Sequence, residues 1–188
     1  LQLPTTGRVE IYAGQPIQTV PLSTPAQVGV LVGHVYRMRI SEMPEYPGQE
    51  LYPTIEVLDR LHPPPGQADV FPVPIELSLE DIDLAFGGRL VTKVIYLEQP
   101  QLAPPVPQGE TVPVTDVPES QNVLAEADLL GRPMLILRVG SRGPNVHGAD
   151  PSFFGLGAPV RMPPPPIPSP GPPREEPPYE ELPSPVQG

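Results

Sequence analysis

Three carboxylates, Glu80, Asp81 and Asp83, lie within four residues of one another and invite an acid–base reading. The paired carboxylates of a glycosidase flank a cleft and usually come from separated segments. These three follow Ser78 within about one helical turn, where negative charge favours a helix dipole, so they read as a solvated helix start. His34, His62 and His147 are the only histidines, and none stands at ligand spacing from another. A zinc site would need them to converge in space with a carboxylate beside them. No G-x-S-x-G elbow and no phosphate-binding loop occurs. Gly140-Ser141-Arg142-Gly143 has the outline of a GXXG nucleic-acid loop, but it follows a strand in an acidic chain. Leu3-Pro4-Thr5-Thr6-Gly7 fits the LPxTG sorting pattern, which acts near a C-terminus ahead of an apolar segment and a basic tail; here it stands at the start. The chain therefore reads as a non-enzyme, with no catalytic, cofactor-binding or metal-binding set.

Composition narrows the class further. Proline (34) and glycine (17) make up more than a quarter of the 188 residues, a level typical of low-complexity chains. The apolar residues, 38% of the chain, are clustered enough to build one core. A net charge of −11 with a single lysine, Lys93, leaves no basic face to displace counterions from phosphates, which argues against nucleic acid and against anionic lipid. The absence of cysteine rules out disulfides and thiolate sites. The longest apolar run, Val28 to Val35, is strand-length, so no membrane span is expected. Leu1 in place of Met fits removal of a signal peptide or a trimmed chain.

The elements that would position any site are mostly strands. Residues 1–27 read as an N-terminal arm in which Arg8 to Tyr12 alternates and can pair with a sheet edge, its own or a neighbour's. Val28 to Ile40 alternates strongly, with Tyr36, Met38 and Ile40 on one face and Arg37 and Arg39 on the other. Thr54 to Leu61 and Val70 to Leu79 follow, the latter with Pro72 and Pro74 on one side, which suits only an edge. Ser78 with Asp81 forms a capping box for a short helix to Phe86, and Gly87 is placed for a left-handed cap. Arg89 to Glu98 is rich in β-branched residues, Gln99 to Gln121 is a proline-rich loop, and Asn122 to Leu130 is a helix of one or two turns. Pro133 to Val139 is nearly all apolar and reads as a central strand covered on both faces. Strands without long helices between them point to a mainly β, antiparallel sandwich-like domain, or a small barrel, at residues 28–143 that is stable without its arms.

Residues 144–188 read as an extended proline-rich tail. Pro163 to Pro166 favours polyproline II, and Glu175, Glu176, Glu180 and Glu181 make the end acidic. Tyr179 and Leu182 are its candidate docking anchors, being the largest apolar side chains near the end. A docking strap, a spacer and a ligand for proline-binding modules all remain open for this tail.

Five stretches, Gly33–Arg37, Leu51–Val57, Phe71–Leu77, Val91–Glu98 and Gly131–Gly140, together resemble uncharacterised exported proteins of planctomycete-type bacteria over about residues 28–143. The resemblance implies a cell-envelope location and a structural role, with no activity and no site residues. The expected function is a non-enzymatic structural subunit of an exported homo-oligomeric assembly (a filament, surface array or envelope ring) whose arms dock onto copies of itself or another envelope protein. The alternative is a ligand- or protein-binding β-sandwich module of a cell-envelope complex. Aromatics at 5% and the lack of tryptophan count against sugar stacking. At the level of the strand pattern, Ile95→Asp should unfold the domain, because an unpaired buried carboxylate costs several kcal/mol. A melting temperature unchanged within about two degrees would refute the assignment of Ile95 to the core.

Overall fold

The computed structural model describes residues 1–101, 114–145, 150–155 and 157–163. Six strands form one antiparallel sheet: β1 (Arg8–Ala13), β2 (Gln18–Ser23), β3 (Val35–Ser41), β4 (Thr54–Val57), β5 (Val91–Glu98) and β6 (Gly131–Val139). Their order is β2-β1-β3-β4-β6-β5. The sheet is open, with β2 and β5 at its edges, so the mainly β, antiparallel expectation holds and the small barrel is not formed. Among the described residues two short helices, α1 (Leu79–Phe86) and α2 (Val123–Leu130), and a 3-10 turn at Pro151–Phe154 accompany the sheet.

Strand alternation accounts for the core. Val9 and Ile11 of β1 stand opposite Ile40 and Met38 of β3, so they share a face. Ile55 and Val57 of β4 stand opposite Leu137 and Leu135 of β6 in the same layer. All of these are buried, with Ile40 and Leu137 fully so, and Ile82 and Ala85 of α1 close over them. Ile95 of β5 is half-buried against this cluster. As its apolar run implied, β6 lies between β4 and β5. Its other face carries Met134 and Ile136, buried outside the main cluster, where α2 packs with Ala127.

Residues Arg8–Ile11 of the N-terminal arm pair with β3 of their own sheet. The arm brings Val9, Ile11 and Ala13 into the core, so residues 28–143 alone lack part of the hydrophobic layer. Several strands are shorter than their periodicity predicts: β4 ends at Val57 rather than Leu61, β5 begins at Val91 rather than Arg89, and two others fall further short. Val30, Leu31 and Val32 stay exposed ahead of β3, separated from it by Gly33 at φ 78°. Val70 to Leu79 makes only a single bridge, Glu76 to Gln2, because Pro72 and Pro74 have no amide to offer a ladder.

The capping box is present: the Asp81 N–H donates to Ser78 Oγ (3.1 Å) and the Ser78 N–H donates to Asp81 Oδ2 (2.8 Å). The left-handed glycine at the far end is Gly88 (φ 86°), not Gly87 (φ −70°). Asn122 caps α2 through its Oδ1, and Gly131 both ends that helix and begins β6. A side chain at Gly131 would collide with the Leu97 carbonyl, so the helix-to-strand junction demands glycine.

Lys93 of β5 reaches across the core face and ion-pairs with Asp81. Burial alone would push the Asp81 carboxyl up, but Lys93 and the Ser78 N–H and hydroxyl hold it below the usual carboxylate range. A carboxyl depressed in the folded state adds stability above its unfolded pKa of about 3.9 and loses it as pH falls through the folded value. The urea midpoint should therefore drop as pH goes from about 5 towards about 2, and Asp81→Asn should flatten that part of the profile. An Asp81→Asn profile as steep as the parent's would remove Asp81 as the cause.

Candidate functional site

The second face of the sheet, away from the main core, holds the charged and aromatic side chains that β1 and β3 alternate with their apolar ones. Glu10 stands directly opposite Arg39. It is buried, and it receives Arg39 Nη2 at 2.6 Å and Arg8 Nε at 3.2 Å. Arg39 also approaches Glu50 at 3.6 Å, so its charge is met on two sides. A cross-strand pair of this kind lets β1 carry a carboxylate through a covered layer.

Two residues along β3, Arg37 meets a ring instead. Its guanidinium lies 4.0 Å from the centroid of Phe153, and that of Arg142 lies 6.0 Å from the same ring. Phe153 meets Tyr52 edge-on at 5.4 Å, and its neighbour Phe154 lies 4.4 Å from Tyr12. The 3-10 turn that delivers both phenylalanines is capped by Asp150, which accepts the Ser152 N–H (2.9 Å) and hydroxyl (2.6 Å). Gly155 ends the turn with a positive φ of 82°, which favours glycine. The chain then runs back to the core edge, where Ala158 is buried and the Tyr36 hydroxyl donates to the Pro159 carbonyl at 2.9 Å. Arg161 pairs with Gly29 through a two-way backbone bridge.

Between this segment and β3 lies an open cleft of about 340 Å³, bordered by His34, Val35, Arg37, Thr54, Ser152 and Phe153. Burial, then repulsion from Arg142, lowers the pKa of Arg37. Tyr52 is pushed up by burial and by donating its hydroxyl proton to Glu50 at 2.6 Å. Planar guanidinium groups over an aromatic ring bind carboxylates or phosphates through paired N–H donors. The arrangement is thus suited to holding an anion. His34 hydrogen-bonds through Nδ1 to the Val32 carbonyl at 3.1 Å.

The residues singled out by type and spacing do not converge on this cleft, apart from His34. Asp81 is taken by Lys93 and the helix cap, and Asp83 accepts the Tyr46 hydroxyl at 2.6 Å. Glu80 is exposed, as is His62. His147, Tyr179 and Leu182 lie outside the described residues. Among the described residues no group of three or more acidic or histidine side chains is placed to hold a metal, and no helix is long and apolar enough to cross a membrane. In the LPxTG-like stretch, Leu3 packs on the core and the Gly7 N–H donates to Thr24 Oγ1, so the stretch is part of the fold. Arg142 belongs to the Gly140–Gly143 outline that the acidic charge argued against, and Phe153 and Phe154 carry no motif at all. Their signal is slight: one adjacent pair of phenylalanines in a chain with only four, inside a segment otherwise rich in proline and glycine.

No family model, curated protein or solved structure matches the chain.

Phe153→Ala should remove the stacking surface for both arginines and the edge contact to Tyr52. A loss of about 1–3 kcal/mol in the urea-derived stability is expected for contacts of these kinds on a half-buried ring. Phe153→Tyr, which keeps the ring, should retain most of it. Equal stability of the parent and Phe153→Ala would show that the aromatic cluster adds nothing.

Proposed function

We propose that the chain is a non-enzymatic structural subunit of an exported, homo-oligomeric assembly of the bacterial cell envelope. The observation that supports this best is the edge of the sheet at β5. Among the described residues no strand covers its outer side, and β5 has no proline to blunt it. By contrast β2, the other edge, carries Pro21 and is followed by Pro25. An eight-residue edge strand whose outer side is uncovered among the described residues is a template for pairing with another chain. Beside it Leu97, Leu129 and Leu130 are exposed, Leu129 by 68%, and the Gln99 N–H donates to the Leu130 carbonyl, which holds them close. Apolar side chains rimming an open edge favour burial by a partner. On this reading the domain is sandwich-like in that both faces of its sheet are covered, α1 lying over the core face and α2 over the other, and the proline-rich extensions reach neighbouring subunits.

A binding module of an envelope complex is the second reading, and the arginine cleft favours it, since two cations over one ring suit an acidic ligand. Sedimentation distinguishes the two. The parent should run as a species larger than its 20.3 kDa monomer, and Leu97→Lys/Leu129→Lys should run as a monomer with little change in melting temperature. A parent that stays monomeric at every concentration and salt would overturn the assembly reading.

A further inference from the structure

We propose that the cleft bordered by Arg37 and Phe153, with Arg142 beside the same ring, seats the acidic proline-rich segment Arg174–Leu182 of a second copy of the chain. This rests on the assembly reading above and names the contact that the tail makes.

The first ground is charge. Acidic residues outnumber basic ones by 22 to 11, yet no carboxylate of the described residues forms an ion pair with Arg37 or Arg142. Asp150 interacts electrostatically with Arg142 but forms no ion pair with it, and both of its oxygens accept hydrogen bonds from Ser152. The two guanidinium groups share one ring and repel each other, a strain that an incoming carboxylate relieves. The segment Glu175-Glu176-Pro177-Pro178-Tyr179-Glu180-Glu181 places two acidic pairs on either side of a proline pair. Acidic pairs of this kind suit forked guanidinium groups, and prolines suit an aromatic-lined surface such as that of Phe153.

The second ground is reach. The described chain ends at Pro163, two residues after Arg161 pairs with Gly29, and Ala158 of the same segment borders the cleft. Eight of the eleven residues from 163 to 173 are proline. At about 3.1 Å per residue such a spacer extends roughly 34 Å. A domain of about 155 residues has a radius of gyration near 15 Å, so the spacer is about as long as the domain is wide. A stiff strap that begins beside its own cleft carries its glutamates past it and delivers them to a neighbour's.

Charge exchange in the full chain tests the proposal. One variant carries Arg37→Glu and Arg142→Glu; a second carries Glu175→Lys, Glu176→Lys, Glu180→Lys and Glu181→Lys. Each alone should sediment as a smaller species than the parent, and mixing the two should restore a larger one, since the lysine tail then fits the acidic cleft. Recovery on mixing also shows that both variants are folded. A fluorescent peptide of residues 172–184 should bind the full-length chain at low salt, at least about tenfold more weakly when Arg142→Glu alone is present. If both variants keep the parent's assembled size while Leu97→Lys/Leu129→Lys dissociates it, the cleft proposal is wrong and the assembly reading stands. If neither variant is restored by the other, or the peptide does not bind, a tail from a second copy is not the occupant. A parent that is monomeric throughout overturns both.

Discussion

The two-sided pairing of β3 is the constraint on which the remainder of the molecule depends. Along one edge Met38 and Ile40 meet β1, and along the other Val35 to Arg37 meet β4, so this single strand joins the N-terminal hairpin to the β4-β6-β5 half. A strand in that position must satisfy both faces at once. Tyr36, Met38 and Ile40 fill the core, and the Tyr36 hydroxyl closes its hydrogen bonds by accepting from Leu31 and donating to Pro159. Arg37 and Arg39, which alternate with them, then have to be accommodated on a face that is also covered. Glu10 answers for Arg39 and Phe153 for Arg37, and the difference between those two answers makes one arginine structural and leaves the other disposed to bind.

That division also explains how an acidic chain distributes its few cations. A buried glutamate is tolerated only with a charge beside it, because removing a carboxylate from water costs several kcal/mol otherwise. Glu10 and Asp81 are the two buried acids among the described residues, and each is met by a cation from the neighbouring strand or across the core face. Arg37 and Arg142 are held on an aromatic surface, with no ion pair to a described carboxylate.

Much of this was legible in the sequence where one periodicity dominates. The apolar run of β6 announced a strand with neighbours on both sides, and Ser78 with Asp81 announced α1, because both signals are local. The tail side was not legible. Phe153 and Phe154 sit among glycines and prolines, and what gives them a place is the row Tyr12, Arg37 and Tyr52, drawn from three parts of the chain. The strand expected at Val70 failed for a local reason, as its alternation was right and its proline content wrong for a ladder. Residues 1–13 were harder still: a short alternating stretch between prolines says that it will pair, and only the burial of Val9 and Ile11 says with which edge.

Lys93 has a chemical consequence beyond the helix it supports. It carries the only side-chain amine in the chain, with about a quarter of its side chain open to solvent. Acylation at Nζ would convert the ammonium to a neutral amide, and nothing else among the described residues stands within ion-pair distance of Asp81 to replace it. One covalent event at one atom would therefore leave a buried carboxylate without a counter-charge and loosen the cap of α1 from β5. The protein thus contains a single lysine at which acylation, enzymatic or accidental, is converted into a change of fold stability.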